Sequence, residues 1–548
     1  VARLSWPNTE REEWRRGEEE KKTFFSLLLS SLPPFLISCF ALALRLWGIT
    51  WGLPDQNRLF SYHPDEGVNL VNGVLENGVP RPHLDLGFYN YGTLYFYLWQ
   101  GAVAINRTYH LVSLPPTGAP NVPSPESVAA MILVGRVLTA ILGAMTTWAV
   151  FALGHRLFGR RAGLVAAIAY ALMPAAVVHG HYATVDVPAT FFVTMALVFG
   201  ARLLVVSRPR EGALAGLFSG LAAATKYNCG LVLFAPLCAL LLRRRLGKGV
   251  PRWEPWVVLA GATGGFVFGC PGVALNWPRF AADFAYELKK SGEGMGFLFA
   301  ETGSGWIYHL TTSLYFGLGP ALLVFVIITL IFSLARHTRQ DGYLMAFLIP
   351  YYLVIGYAQV RFLRYVIPLF PVLAVFVGRF LTEPWPTKLA VRHILVGLGV
   401  LVGLITLFDS LSLVRLMTQT DARDRALAYV RQNIPRGKTI AFATTPWYYT
   451  PPLVPEFTAP NPAIRRRASE EFTDYVLRLP APSTEWDGEV LTPLPDYVLL
   501  SNIESADALR IHWSPAHSFM NQLEAHYRPR VFENECTWWG LIRWSTPR

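Results

Sequence analysis

Residues 128–153, VAAMILVGRVLTAILGAMTTWAVFAL, are long and apolar enough to cross a bilayer as one helix. How this run is read decides the sidedness of the chain. Ahead of it lies a shorter apolar and aromatic run, 91–105, interrupted by Asn106 and Arg107. If 91–105 lies along the interface and 128–153 is the second span, the basic clusters fall consistently. Arg156, Arg160 and Arg161 follow that span. Arg208 and Arg210 follow 190–206, and Arg243, Arg244, Arg245, Lys248 and Arg252 follow the hairpin 213–242. Arg336 and Arg339 follow 318–334, and Arg379, Lys388 and Arg392 follow 366–377. Short loops rich in Lys and Arg stay cytoplasmic, so these all lie inside with the N-terminal tail 1–22. Making 91–105 a span would put Arg156, Arg160 and Arg161 outside.

Working outward, 24–49 is the first span. It is too long for a signal-peptide core and lacks a clear small-residue cleavage site, which reads as an uncleaved anchor. The remaining spans are 164–178, 256–273, 342–357 and 393–408. The expectation is an α-helical polytopic membrane protein of about eleven spans, covering 23–413, with outer loops 50–127 and 276–305. After Asp409 the composition changes. Residues 421–433 read as a soluble helix, 439–443 and 496–501 as strands, and 530–544 as terminal strands. This predicts a small α/β domain over 414–548 on the extracytoplasmic side. No internal repeat of the kind found in secondary transporters is visible.

Composition supports this class. Of 548 residues, 52% are hydrophobic and 16% charged, where soluble domains carry about a quarter charged. The net charge of +11 follows from 48 basic and 37 acidic residues. In a multi-pass protein that excess reports topology and does not call for a nucleic-acid partner. Cys39, Cys229, Cys238, Cys270 and Cys536 are odd in number, and four lie in apolar runs. They give neither a disulfide framework nor metal-ligand spacing.

The polar residues of interest gather on the outer side. Tyr62-His63-Pro64-Asp65-Glu66-Gly67 follows the first span. Pro64, Asp65 and Glu66 suit the first turn of a helix over 66–76 closed by Asn77-Gly78. They also place two carboxylates at the mouth of a membrane domain. His179-Gly180-His181-Tyr182-Ala183-Thr184-Val185-Asp186 joins two spans, with Thr184 a candidate cap for a helix starting at Asp186. His179 and His181 alone make an incomplete metal set. Thr225-Lys226-Tyr227-Asn228 sits where the 213–242 hairpin turns. Lys226 either snorkels to the interface or has a functional partner, because a basic residue in a membrane is costly. Arg361-Phe362-Leu363-Arg364-Tyr365 puts two cations at an outer span end, to pair with carboxylates or to hold an anion. The loop 277–306, with Arg279, Lys289 and Lys290, is placed to cover a site.

Both charge signs on one membrane face suit a sugar transfer from a lipid-linked phosphate. Lys or Arg would stabilise the departing phosphate, and a carboxylate would deprotonate the acceptor hydroxyl. The Asp-Glu pair after the first span, Thr-Val-Asp-Val-Pro, Thr-Lys-Tyr-Asn and Arg-Phe-Leu-Arg-Tyr-Val-Ile-Pro together resemble the GT-C superfamily of integral-membrane glycosyltransferases. The nearest groups are protein mannosyltransferases and the aminoarabinose transferase that modifies lipid A. The resemblance covers about 24–408. It implies a polyprenyl- or dolichyl-phosphate sugar donor, inversion at the anomeric carbon, no cofactor and no essential metal. Asp65 matches the catalytic aspartate position and Asp186 a second acidic position, with Glu66 beside them. Lys226 and Arg364, with Arg361, match phosphate-binding positions. His63, Tyr89, Asn90, His181, Tyr182, Tyr227 and Tyr365 are candidate substrate contacts. Tyr89-Asn90-Tyr91-Gly92 stands where relatives carry a basic residue or histidine with proline, so contacts there do not transfer. A flippase of lipid-linked saccharides and a non-catalytic scaffold are the competing classes. A transporter would place its charges near mid-membrane, and a scaffold would not need Asp65, Lys226 and Arg364 to converge.

Overall fold

The computed structural model describes residues 31–76, 79–80, 83–109, 124–247, 249–384, 389–481 and 484–534. It is mostly helical. The first helix, α1 (Ser31–Leu46), shows Phe35, Leu36 and Phe40 on its outer face. Helix α2 (Pro64–Gly73) starts at Pro64 and carries Asp65 and Glu66 in its first turn. It ends before the expected 76, because the chain turns into a hairpin, β1 (Leu75–Glu76) and β2 (Val79–Pro80). The expected stop at Asn77-Gly78 lies outside the described residues. Helix α3 (Leu94–Tyr109) packs Tyr95, Phe96 and Trp99 beside α4 (Pro125–Phe158). The Trp99 indole donates to the Met131 carbonyl at 2.9 Å.

Proline then punctuates the bundle. Pro174 separates α5 (Arg160–Leu172) from α6 (Pro174–Val178), and the pair bends by 67°. Helix α7 (Asp186–Leu203) follows. Its N-cap position is Val185, so Thr184 does not act as the expected cap, and its buried hydroxyl has no hydrogen-bond partner among the described residues. Helices α8 (Pro209–Ala223), α9 (Phe234–Arg245), α10 (Glu254–Gly269), α11 (Gly272–Leu275) and the amphipathic α12 (Trp277–Glu293) come next. Short α13 (Gly305–Tyr308) and α14 (Tyr315–Leu318) precede α15 (Pro320–Arg336), α16 (Arg339–Tyr357), α17 (Phe370–Thr382) and α18 (Leu389–Leu416). A capping box of Thr338 and Asp341 fixes the start of α16.

The expected spans fall on helical stretches where they are described, but 164–178 is broken at Pro174 and 256–273 runs over α10 and α11. By length and composition, five helices among the described residues can cross a membrane, or up to seven if each bent pair is one span. The chain is thus a multi-pass membrane protein, though these criteria do not reach eleven. Helices α7 and α17 are the most enclosed, with 83% of their apolar windows buried, whereas the corresponding figure for α18 is 17%. The expected basic clusters meet at one end of this bundle. Arg156 donates to the Val198 carbonyl at 2.5 Å, and Arg243 to that of Val206 at 2.8 Å. Lys248 and Lys388 lie outside the described residues. Helices α8 and α10 approach most closely. Gly216 and Gly220 face the carbonyls of Val258 and Ala262, while Gly261 and Gly265 face those of Ala213 and Leu217. A Cβ at any of the four would overlap the opposite backbone.

Beyond α18, α19 (Ala422–Asn433) is capped by Asp421, which accepts from the Arg423 amide at 2.9 Å. Strands β3 (Thr439–Phe442), β4 (Val476–Arg478) and β5 (Tyr497–Leu499) form a parallel sheet in the order β4-β3-β5. Ile440 pairs with Leu477 on one side and Tyr497 on the other. Helix α20 (Pro462–Glu471) precedes β4 in the chain, and α21 (Asn502–Arg510) and α22 (Ser514–His526) follow β5. The strand expected over 496–501 is shorter, because Ser501 is recruited as the cap of α21. No strand forms over 530–534, which corrects that part of the expected terminal strands, and 535–544 lie outside the described residues.

Candidate functional site

Four stretches remote in sequence meet at the end of the bundle opposite the basic clusters. Asp65 comes from the first turn of α2 and Asp186 from the first turn of α7. Lys226 follows the end of α8 in extended conformation, and Arg364 sits in the tight turn leading into α17. Lys226 Nζ donates to Asp186 Oδ1 at 2.6 Å. Arg364 Nη2 is 3.0 Å from Asp65 Oδ2, and its Nε is 3.8 Å from Asp186 Oδ2. Asp186 therefore holds both cations on one carboxylate. Its side chain is only 2% exposed, whereas that of Asp65 is 24% exposed and the reachable member of the pair. Two rings flank the cations: Lys226 Nζ lies 4.4 Å from the Tyr365 centroid and the Arg364 guanidinium 4.1 Å from that of Phe362.

Glu66, one residue along, is turned away from this cluster. Arg136 Nε and Nη2 donate to its two oxygens at 2.8 and 2.7 Å, Ser61 Oγ at 2.6 Å and the Ala183 amide at 2.8 Å. Burial works against its charge, but Arg136, with help from His63 and the Ser61 hydroxyl, holds the carboxyl below the usual range. Glu66 is a buried anchor with every oxygen engaged, not a second reachable carboxylate. Arg361 is also not brought in. Its guanidinium binds Thr302 Oγ1 at 2.6 Å and the Gly303 carbonyl at 2.7 Å, pinning the 294–304 loop. His181 faces the carbonyls of Val177 and Trp47 at 2.9 and 3.0 Å, so its ring is consumed by the fold.

The other candidates surround the cluster. His63 packs against Tyr182, with ring centroids 4.3 Å apart and the planes tilted by 39°. Burial pushes its imidazole down, against the pull of Asp65 and Glu66. Tyr227 donates to the carbonyls of Tyr89 and Tyr91 at 2.7 and 3.0 Å, bracing the stretch before α3. Within that stretch, Tyr89 is tied to Asp85 at 2.6 Å and Asn90 to Glu287 of α12 at 2.8 Å. The residue presented to the cluster is Tyr91, whose phenol is pushed up by burial and by Asp65 and pulled down by Arg364. Sequence reading passed over it, although it lies in the stretch that departs from the expected pattern. Arg136 was also missed; an arginine inside the apolar run 128–153 is the signal for it. Among the described residues no group of three or more His, Cys, Asp or Glu side chains is placed to hold a metal ion.

The structure is thus a multi-pass bundle with paired cations and carboxylates at one end. Residues 129–271 match the family model described as dolichyl-phosphate-mannose-protein mannosyltransferase, in keeping with the resemblance carried by the motifs. The matched region contains Asp186 and Lys226 but not Asp65 or Arg364. No curated protein matches the chain. Among solved structures, ArnT from Cupriavidus metallidurans bound to undecaprenyl phosphate is similar at 11% identity and a TM-score of 0.47, covering 91% of this chain and 96% of ArnT. The oligosaccharyltransferase of Archaeoglobus fulgidus is similar at 14% identity and a TM-score of 0.47, over 80% of this chain. The chain spans 65% of that enzyme's length. The S. cerevisiae protein O-mannosyltransferase Pmt1-Pmt2 complex bound to the sugar donor gives 17% identity and a TM-score of 0.31, over 47% of this chain and 34% of that one.

Proposed function

We propose that the chain is an inverting glycosyltransferase that moves a sugar from a polyprenyl- or dolichyl-phosphate donor to an acceptor hydroxyl at the outer membrane face. The observation that carries this is the convergence of Asp65, Asp186, Lys226 and Arg364 from four separate stretches. Asp65 is the general base. It takes the acceptor proton as the acceptor oxygen bonds to the anomeric carbon and the bond from that carbon to the phosphate oxygen breaks. Arg364 and Lys226 take up the charge growing on the lipid phosphate, with Asp186 holding them together. Tyr91 and Tyr365 line the site, and Glu66 holds α2 in place. The charges sit at helix ends, in the first turns of α2 and α7 and beside α8 and α17, which favours a transferase over a mid-membrane transport path. In this reading the bundle 23–413 has eleven spans. The tail 1–22 is cytoplasmic and 414–548 is an extracytoplasmic domain.

Purified protein incubated with a panel of lipid-phosphate sugars tests the activity and identifies the donor. Asp65→Asn removes the base while keeping size and polarity, and turnover should fall at least about a hundredfold. Near-normal turnover in that variant would leave Asp65 as a helix-start acid and remove the mechanism.

A further inference from the structure

The segment 421–460 holds residues 58–62, which lead into α2, and touches α2 itself at Gly67 and Leu70. Tyr62, three residues before Asp65 and buried, donates its hydroxyl to Asp424 Oδ1 at 2.6 Å. Arg58 bridges the same two groups, donating to the Tyr62 hydroxyl at 3.2 Å and to Asp424. The Arg423 guanidinium lies 3.6 Å from the Tyr62 ring centroid. Arg423 is itself fixed by Asp421 at 2.7 and 3.0 Å and by the Tyr448 carbonyl at 2.6 Å. A second contact lies just beyond. The Leu59 amide donates to the Pro455 carbonyl at 3.0 Å, and the Phe60 amide to Thr458 Oγ1 at 2.8 Å. Pro460 closes on Gly67 of α2, and Ala459 is buried in the cluster with Phe60 and Leu70.

From this geometry we infer that the C-terminal unit is a clamp that sets the position of Asp65, with Tyr62, Arg423 and Asp424 as positioning residues that touch no substrate. The inference rests on the assignment of Asp65 as the base. Between Tyr62 and Asp65 the chain has little freedom: Pro64 fixes its own φ and opens α2. On the bundle side Glu66 is locked into Arg136, Ser61 and Ala183. Asp65 is therefore suspended between two anchorages, one in the membrane bundle and one in the C-terminal unit. A base must stay within hydrogen-bond reach of the proton it takes, and a displacement of about 1 Å costs on the order of a hundredfold in rate. Loosening the clamp should act on turnover and leave substrate affinity alone.

Tyr62→Phe deletes the hydroxyl while keeping the ring under Arg423, and Asp424→Asn removes the charge that Arg58 and Tyr62 share. Both should lower kcat about tenfold, with KM for donor and acceptor changing less than about twofold. Amide hydrogen exchange across Pro64–Gly73 should speed up in the same variants, a readout that does not depend on activity. Arg423→Ala should behave alike, and Arg423→Lys should recover only part, because an ammonium does not stack as a guanidinium does. Unchanged kcat overturns the clamp, as does a fall in kcat without faster exchange at α2. A raised acceptor KM at unchanged kcat would also overturn it, making the C-terminal unit an acceptor seat. Asp65→Asn run alongside separates the two claims. If it keeps normal turnover, the base assignment is wrong and the clamp falls with it. If it loses turnover while Tyr62→Phe and Asp424→Asn do not, only the clamp is wrong.

Discussion

The two ends of the bundle both carry buried ion pairs, and they are built differently. At the basic end, Arg243 donates to Glu254 at 3.3 and 3.2 Å and also to the carbonyls of Val206 and Gly249 at 2.8 and 2.7 Å. Glu254 accepts from Ser207 as well, at 2.9 Å. Arg379 similarly pairs with Asp341 and with Glu383, and Asp341 closes a capping box. At the Asp65 end, the Arg364 guanidinium meets two carboxylates and a ring but, among the described residues, no backbone carbonyl. Lys226 has one carboxylate oxygen and one ring. A guanidinium has five N–H donors and an ammonium three, so Arg364 and Lys226 keep donors to spend on an anion, unlike Arg136 at the same end, which is spent on Glu66 and the carbonyls of Ile49 and Trp51. Saturation, more than the presence of charge, separates a pair that holds helices together from one that can exchange partners.

The largest effect should come from the saturated end. Arg243→Ala leaves Glu254 buried without its cation, which typically costs about 3–5 kcal/mol. Thermal unfolding should show a steep loss of stability, while turnover per folded molecule stays normal. A mild loss there would break the contrast between the ends. Next is Arg364→Ala, which should weaken donor affinity by roughly ten- to a hundredfold, the worth of charged hydrogen bonds near 1.5–3 kcal/mol, and slow turnover. Arg364→Lys should recover only part, lacking the fork. A destabilised protein with unchanged donor affinity would instead class Arg364 with the structural pairs. The smallest effect concerns a carboxyl paired, among the described residues, with no cation. Glu504 lies half-buried beside Thr444 and Glu485, and desolvation, only partly offset by the Thr444 hydroxyl, pushes it up to about 7. Its stabilising contribution is full below the ordinary value of 4.5 and lost as pH rises through about 7. Between those limits the melting temperature of the C-terminal unit should drop by a few degrees, and Glu504→Gln should flatten the dependence.

Local patterning made most of the bundle legible. Apolar runs bounded by basic clusters located the long apolar helices, and Pro64 and Asp186 marked the starts of α2 and α7, but the amphipathic α12 lies in what was expected as an outer loop. The convergence of Asp65, Lys226 and Arg364 was also expected, since all three fall on one side of the same alternating pattern. Local patterning did not separate Asp65 from Glu66, and only the resemblance favoured Asp65, because adjacent residues on a helix point about 100° apart and the partner that captures Glu66 lies 70 positions away. Arg361 and Arg364 posed the same problem: three residues apart, one is spent on a loop and the other meets the carboxylates. The extent of the C-terminal strands was misjudged because pairing between distant segments, more than local propensity, decides strand ends.

The glycine notches between α8 and α10 carry a consequence for how the sequence can drift. Where two backbones touch directly, neither helix can rotate or slide to absorb an added methyl group. Lys226 is carried at the end of α8, so any such shift is delivered to the cation that reaches Asp186. A saturation scan of every position should therefore find a stripe of intolerance at Gly216, Gly220, Gly261 and Gly265, recurring every fourth residue through featureless apolar sequence. That stripe should rival the charged residues themselves in severity while sharing none of their chemistry.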